Sequence, residues 1–125
     1  MNTRMAGMIL GAVFILVGIL GFISNPLISE QEGALFRVNA LHNIVHLVSG
    51  AVILAGVYSF GSALGLKIIG IVYAIVAILG LVMGGDMLFG IAMNMADHWL
   101  HVVLAVVILL AGFALPDDKT MTAMA

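Results

Sequence analysis

An all-α fold, an integral membrane four-helix bundle made of two repeated helical hairpins, is what this sequence predicts. Three observations carry the prediction. Of the 125 residues, 64% are hydrophobic and only 8% are charged. A soluble domain carries roughly a quarter charged residues, so these few charges cannot furnish a water-facing surface, and lipid is the solvent that remains. The scarce charges bound four long apolar runs, and two stretches of the first half return in the second.

The spans follow in order. After Arg4, Met5 to Ile23 carries no charge. No acidic or basic side chain, histidine aside, separates Arg37 from Lys67, and further uncharged runs lie between Lys67 and Asp86 and between Asp97 and Asp117. A membrane-crossing helix needs roughly 20 mostly apolar residues. The predicted spans are therefore 5–23, 39–60, 66–84 and 94–115. Their connectors are Ser24-Asn25-Pro26, Ser59 to Gly65, and Gly84-Gly85-Asp86. The apolar core of the first span is too long for a cleaved signal peptide, and no small-x-small site follows it. One membrane domain covers 1–125, with repeat 1 at about 5–60 and repeat 2 at about 66–115. Little chain is left for a soluble domain, so any chemistry belongs to the bundle or its short loops.

Orientation follows from the basic residues. Arg4, Lys67 and Lys119 fall on one side, and Glu30, Glu32, Arg37 and Asp86 on the other. Positively charged loops stay inside, which puts both termini in the cytoplasm. Trp99, near the outer end of span four, suits an interfacial aromatic.

The repeat is visible residue by residue. Gly11-Ala-Val-Phe-Ile-Leu-Val-Gly-Ile-Leu-Gly21 is echoed by Gly70-Ile-Val-Tyr-Ala-Ile-Val-Ala-Ile-Leu-Gly80. Asn39-Ala-Leu-His42-Asn43-Ile-Val-His46 is echoed by Asn94-Met-Ala-Asp97-His98-Trp-Leu-His101. Each half is one hairpin entering from the same side, so the halves relate by an axis along the membrane normal.

All four histidines fall in the second pair of stretches. Asn39, His42, Asn43 and His46 share one helical stripe, and Asn94, Asp97, His98 and His101 share the matching one. Polar groups are costly in lipid, so both stripes should face inward and meet across the axis. His46 and His101 then lie about 10 Å below the helix starts, seven residues at 1.5 Å each. Gly50 and Ala105, one turn further, allow close contact beneath them.

Several readings compete for the stripes. In the first, Asn39 and Asn94 are N-caps, Asn94 with Asp97 forms a capping box, and the histidines are polar glue between helices. In the second, His42, His46, Asp97 and His101 converge on a transition metal; three imidazoles and a carboxylate suit zinc, copper or nickel better than calcium. In the third, His46 and His101 ligate a haem axially. A proton-linked carrier is disfavoured, because no charged side chain reaches mid-span. A pH sensor is open to any outward histidine cluster, but nothing selects it.

Other residues carry less. Tyr73 in span three needs a partner for its hydroxyl. Gly7, Gly11, Gly18 and Gly21 look like a close-packing face. The nine methionines mostly read as packing, with Met93 and Met95 around Asn94 the pair that suggests copper. The absence of cysteine excludes disulfides, thiolate metal sites and iron–sulfur clusters. No basic run exists to track a phosphate backbone, so nucleic acid is not an expected partner. Hydrolytic or transfer machinery is not visible, and the protein reads as no enzyme.

Leu41-His42-Asn43-Ile44-Val45-His46-Leu47 and Asn94-Met95-Ala96-Asp97-His98-Trp99-Leu100-His101 together resemble the signature segments of a bacterial family of small four-span membrane proteins, known as a domain of unknown function. The resemblance runs from about Gly11 to Phe113. His98 departs from it, standing where the family usually has Asn. The resemblance implies a bacterial inner membrane and four helices, and supplies no activity.

The expected role is that of a small structural or accessory membrane protein, homo-oligomeric or a subunit of a larger membrane complex, with the lipid bilayer as its first partner. The alternative is an outward-facing ligand site for a transition metal or haem.

Overall fold

The computed structural model describes residues 1–117; Lys119, which contributes to the predicted orientation, lies outside the described residues. Among the described residues there are four α-helices: α1 (Thr3–Leu20), α2 (Ala40–Ala55), α3 (Ser62–Met83) and α4 (Met95–Ala114). Each is long and apolar enough to cross a membrane, counting the π-helical turn Gly56–Phe60 that extends α2. The protein is thus a multi-pass membrane protein. Large apolar side chains on the outside of the bundle, among them Leu16, Val48, Ile78, Val82 and Leu110, stand exposed where lipid would cover them. Inside, Phe14, Ile53, Leu66, Ile69, Tyr73 and Ile108 form the core.

Three of the four helices, α1, α2 and α4, begin at an asparagine. Asn2 Oδ1 accepts from Met5 N at 2.9 Å, Asn39 Oδ1 from His42 N at 3.0 Å, and Asn94 Oδ1 from Asp97 N at 3.1 Å. In each case the side chain satisfies a backbone donor that the first turn leaves without a partner.

α1 packs against α2 and α3 against α4, so the bundle is two hairpins side by side. Their seams are cut by glycines. A Cβ added at Gly11 would stand 2.7 Å from Leu54 Cγ, and one at Gly70 would stand 2.8 Å from Leu109 Cδ2. Gly21 is likewise pressed against the Asn43 side chain and Gly80 against the His98 ring. At the far end the two seams differ, because the glycine stays on the first helix of one hairpin and moves to the second helix of the other. Gly7 faces Val57 in the first hairpin, and Leu66 faces Gly112 in the second.

The junction between the hairpins differs from the predicted connector Ser59–Gly65. α2 runs on as the π-turn through Phe60, and α3 starts at Ser62. Only Gly61 lies between them. Its φ of 122° belongs to a region that glycine enters freely and side chains avoid, which lets the chain reverse within one residue. Gly61 N–H donates to Gly56 O at 2.8 Å and closes the turn.

The other connectors hold short strands that the sequence did not announce. β1 (Ile28–Ser29) pairs in parallel with β2 (Phe36–Arg37), and β3 (Met87–Leu88) pairs antiparallel with β4 (Ile91–Ala92). The β3–β4 hairpin turns on Phe89 and Gly90, both at positive φ, as a tight two-residue turn requires. Asn25 organises the first loop, accepting from Leu27 N and Ile28 N and donating to Ile28 O.

Both ends of the described chain meet at the opposite end of the bundle. Thr3 N–H donates to Pro116 O at 3.0 Å, and Thr3 Oγ1 donates to Asp117 Oδ1 at 2.9 Å. Arg4 lies there over the Tyr58 ring, and Lys67 over the Phe113 ring.

Candidate metal centre

The two polar stripes do face inward. His42, Asn43, His46, Asp97, His98 and His101 are all buried, none more than 4% exposed. Asn39 and Asn94 stand half-buried at the helix starts. The cap residues also clasp the opposite hairpin. Asn39 Nδ2 donates to Gly90 O at 3.0 Å, and Asn94 Nδ2 donates to Leu35 O at 2.9 Å. Each cap therefore reaches the loop that leads into the other cap.

The structure gathers His42, His46 and His101. One ring nitrogen from each lies within 4.8 Å of the others. The His42 ring centroid is 4.5 Å from that of His46 and 5.6 Å from that of His101. His42 Nδ1 lies 2.6 Å from Ala92 O. A carbonyl oxygen only accepts, so Nδ1 carries the proton and Nε2 keeps its lone pair. That Nε2, together with His46 Nδ1 and His101 Nδ1, is buried with no hydrogen-bond partner.

Aromatic rings close the space beneath and beside the three imidazoles. Phe14 stands edge-on to His46 at 5.8 Å, Tyr73 to His101 at 5.6 Å, and Phe14 to Tyr73 at 5.2 Å. Haem between His46 and His101 would need a slot as wide as its macrocycle. The rings of His42, Phe14 and Tyr73 fill that region, and the residues present do not fit haem.

Asp97 is placed elsewhere. Its Oδ2 accepts from Asn94 N at 2.9 Å, completing the capping box, and it does not join the three-histidine cluster. A carboxylate three residues into a helix finds its own cap N–H at hand, and the favourable field of the helix start holds it there. His98 Nε2 donates to Gly85 O at 3.1 Å, so this ring ties α4 to the end of α3. Asn43, its equivalent in the first hairpin, has both amide atoms buried without a partner. Neither Asn43 nor His98 belongs to the cluster.

Two participants escaped the sequence reading. Ser49 follows His46 by three residues and so continues the stripe. Its Oγ donates to Val45 O at 2.7 Å and accepts from the Tyr73 hydroxyl at 3.0 Å. This is the partner that Tyr73 needs. Ala92 O, which fixes His42, is a backbone group with no sequence signal.

Above the cluster, between the loops, lies a cleft of about 660 Å³. Glu30, Arg37, Asp86, Met87 and Met93 line it. Asn39, Asn94 and Ala92 also line it, one helical turn above His42. Met95, by contrast, is 55% exposed and does not line the cleft.

No curated protein and no solved structure matches this chain. A family model described as a domain of unknown function, DUF4383, matches residues 4–114. The matched stretch takes in nearly all of the four helices and the whole of both polar stripes, so this four-helix membrane protein belongs to the DUF4383 family.

Proposed function

We propose that this small membrane protein holds one transition-metal ion on His42, His46 and His101. The carrying observation is the convergence of three buried imidazoles that each leave a ring nitrogen unpartnered. A buried polar atom without a partner costs about 1–3 kcal/mol. One ion that takes three lone pairs removes that cost at all three rings. Ligating histidines ordinarily donate their other N–H to a carbonyl or carboxylate, which sets the tautomer. The His42–Ala92 hydrogen bond meets that description. Nitrogens at about 2.0–2.1 Å from an ion stand closer together than 4.8 Å, so loading draws the rings inward.

The role is binding rather than catalysis. Arg4 and Lys67, at the end opposite the cluster, support cytoplasmic termini in a bacterial inner membrane, with the histidines in the outer part of the bilayer. An accessory or oligomeric role within a larger membrane complex stands second, because it leaves the three nitrogens without a purpose.

The test is elemental analysis of the full chain, purified in detergent without chelators and loaded with zinc, nickel or reduced copper. About one ion per chain is expected, as for other three-histidine sites. The double variant His46→Ala, His101→Ala should lose it while keeping its helical circular dichroism. Absence of any bound ion, or binding that survives the double variant, would sink the proposal.

A further inference from the structure

We infer that the ion is monovalent copper, Cu(I), and that it reaches the histidines through the cleft between the loops. This rests on the metal-holding reading above and gives it an ion and a route.

Charge is the first argument. The three ligands are neutral imidazoles, and Asp97, the carboxylate on the α4 stripe, is committed to its capping box. Among the described residues no carboxylate joins the cluster. The ion's charge is therefore carried in full inside a lipid-embedded bundle. The cost of removing charge from water grows with its square, about fourfold from a monovalent to a divalent ion. This cost selects against zinc and nickel.

Coordination number is the second. Zinc sites are four-coordinate, and three protein ligands leave the last place to water. Here Phe14 and Tyr73 close the site with aromatic rings. Cu(I) has a filled d shell and is satisfied by three ligands without a water.

The cleft supplies the third. Met87 and Met93 line it, and thioethers favour Cu(I) over harder ions. Glu30 and Asp86 outnumber Arg37 there, so the cleft draws cations. Ala92 lines the cleft and holds His42 through its carbonyl, so the cleft floor and the first ligand are in direct contact. From the other direction an ion would have to pass the buried core around Ile53, Leu66 and Ile108.

The experiment uses the full chain in detergent under anaerobic, reducing conditions. Cu(I) is titrated against bicinchoninate as competing chelator, and zinc against a zinc-binding dye. One Cu(I) per chain is expected, bound at least about 100-fold more tightly than zinc. Met87→Leu with Met93→Leu should slow Cu(I) loading about tenfold and leave the final stoichiometry unchanged. Zinc binding that equals or exceeds Cu(I) binding, and that His46→Ala abolishes, overturns the copper assignment while the three-histidine site stands. Failure of both ions to bind overturns site and copper together. Unchanged loading in the methionine variant overturns the route.

Discussion

His42 and Asp97 occupy the same place in the two hairpins, three residues after a capping asparagine, and their side chains go opposite ways. His42 sends its Nδ1–H across to Ala92 O in the second hairpin. Asp97 turns back on its own helix and takes the Asn94 N–H. A carboxylate is an acceptor, and the nearest orphan donor is its own cap. A neutral imidazole with a protonated Nδ1 is a donor, and it finds a carbonyl on the neighbouring loop. The backbone around the two positions is alike. Proton inventory alone separates a residue that finishes a helix from one that joins the histidine cluster. The cluster is unequal for this reason, with two imidazoles from α2 and one from α4.

The hairpins agree in the glycines that meet the polar stripes, and breaking that agreement should have the largest effect. Gly21 and Gly80 accept Asn43 and His98 at contact distance. Gly21→Leu and Gly80→Leu should each cost about 1–3 kcal/mol through overpacking. Equal losses in detergent thermal melts would show that the two seams carry equal weight. Asn94→Ala comes next. It removes the acceptor of the Asp97 N–H and the donor to Leu35 O, while the Asp97 carboxylate keeps the backbone N–H of residue 94, for a loss of about 1–2 kcal/mol. Asn39→Ala removes the matching pair, the acceptor of the His42 N–H and the donor to Gly90 O, and should cost about as much. Clearly unequal losses in thermal melts would show that the two caps do not carry the same pair of bonds. Tyr73→Phe should be mildest, about 0.6 kcal/mol, the usual size of a hydrogen bond between membrane helices. Ser49 Oγ keeps its bond to Val45 O in that variant, and metal stoichiometry should not change.

Much of this was legible in the sequence because the bilayer leaves few choices. Long uncharged runs have to span, and Asn39 and Asn94 before apolar runs have to cap. The stripe offsets placed His42, His46 and His101 on facing surfaces correctly. What the offsets could not show was side-chain direction. The second hairpin's capping box and a metal site both use Asp97, and only the rotamer decides between them. The stretch Ser59–Gly65 looked like a connector because serine and glycines interrupt the apolar pattern. A π-turn and one positive-φ glycine absorb that interruption without breaking the helices. Ser49 sat on the stripe unnoticed because a single serine in an apolar helix gives no composition signal. The cleft depends on how two loops of different length fold over the caps, which no local pattern encodes.

The division of the three imidazoles between the halves also sets an order in time. A chain is made from its N-terminus, and earlier segments fold before later ones. The first hairpin, with His42 and His46, is complete when Gly61 emerges. His101 lies a full hairpin later, and Ala92 O, which orients His42, arrives just before it. The nascent protein therefore holds two of the three clustered imidazoles for as long as the ribosome takes to finish the rest. It gains the third only when the last helix is inserted. On the proposed metal site, capture of an ion would be tied to completion of the membrane fold, and a chain without α4 would lack the third imidazole of the cluster.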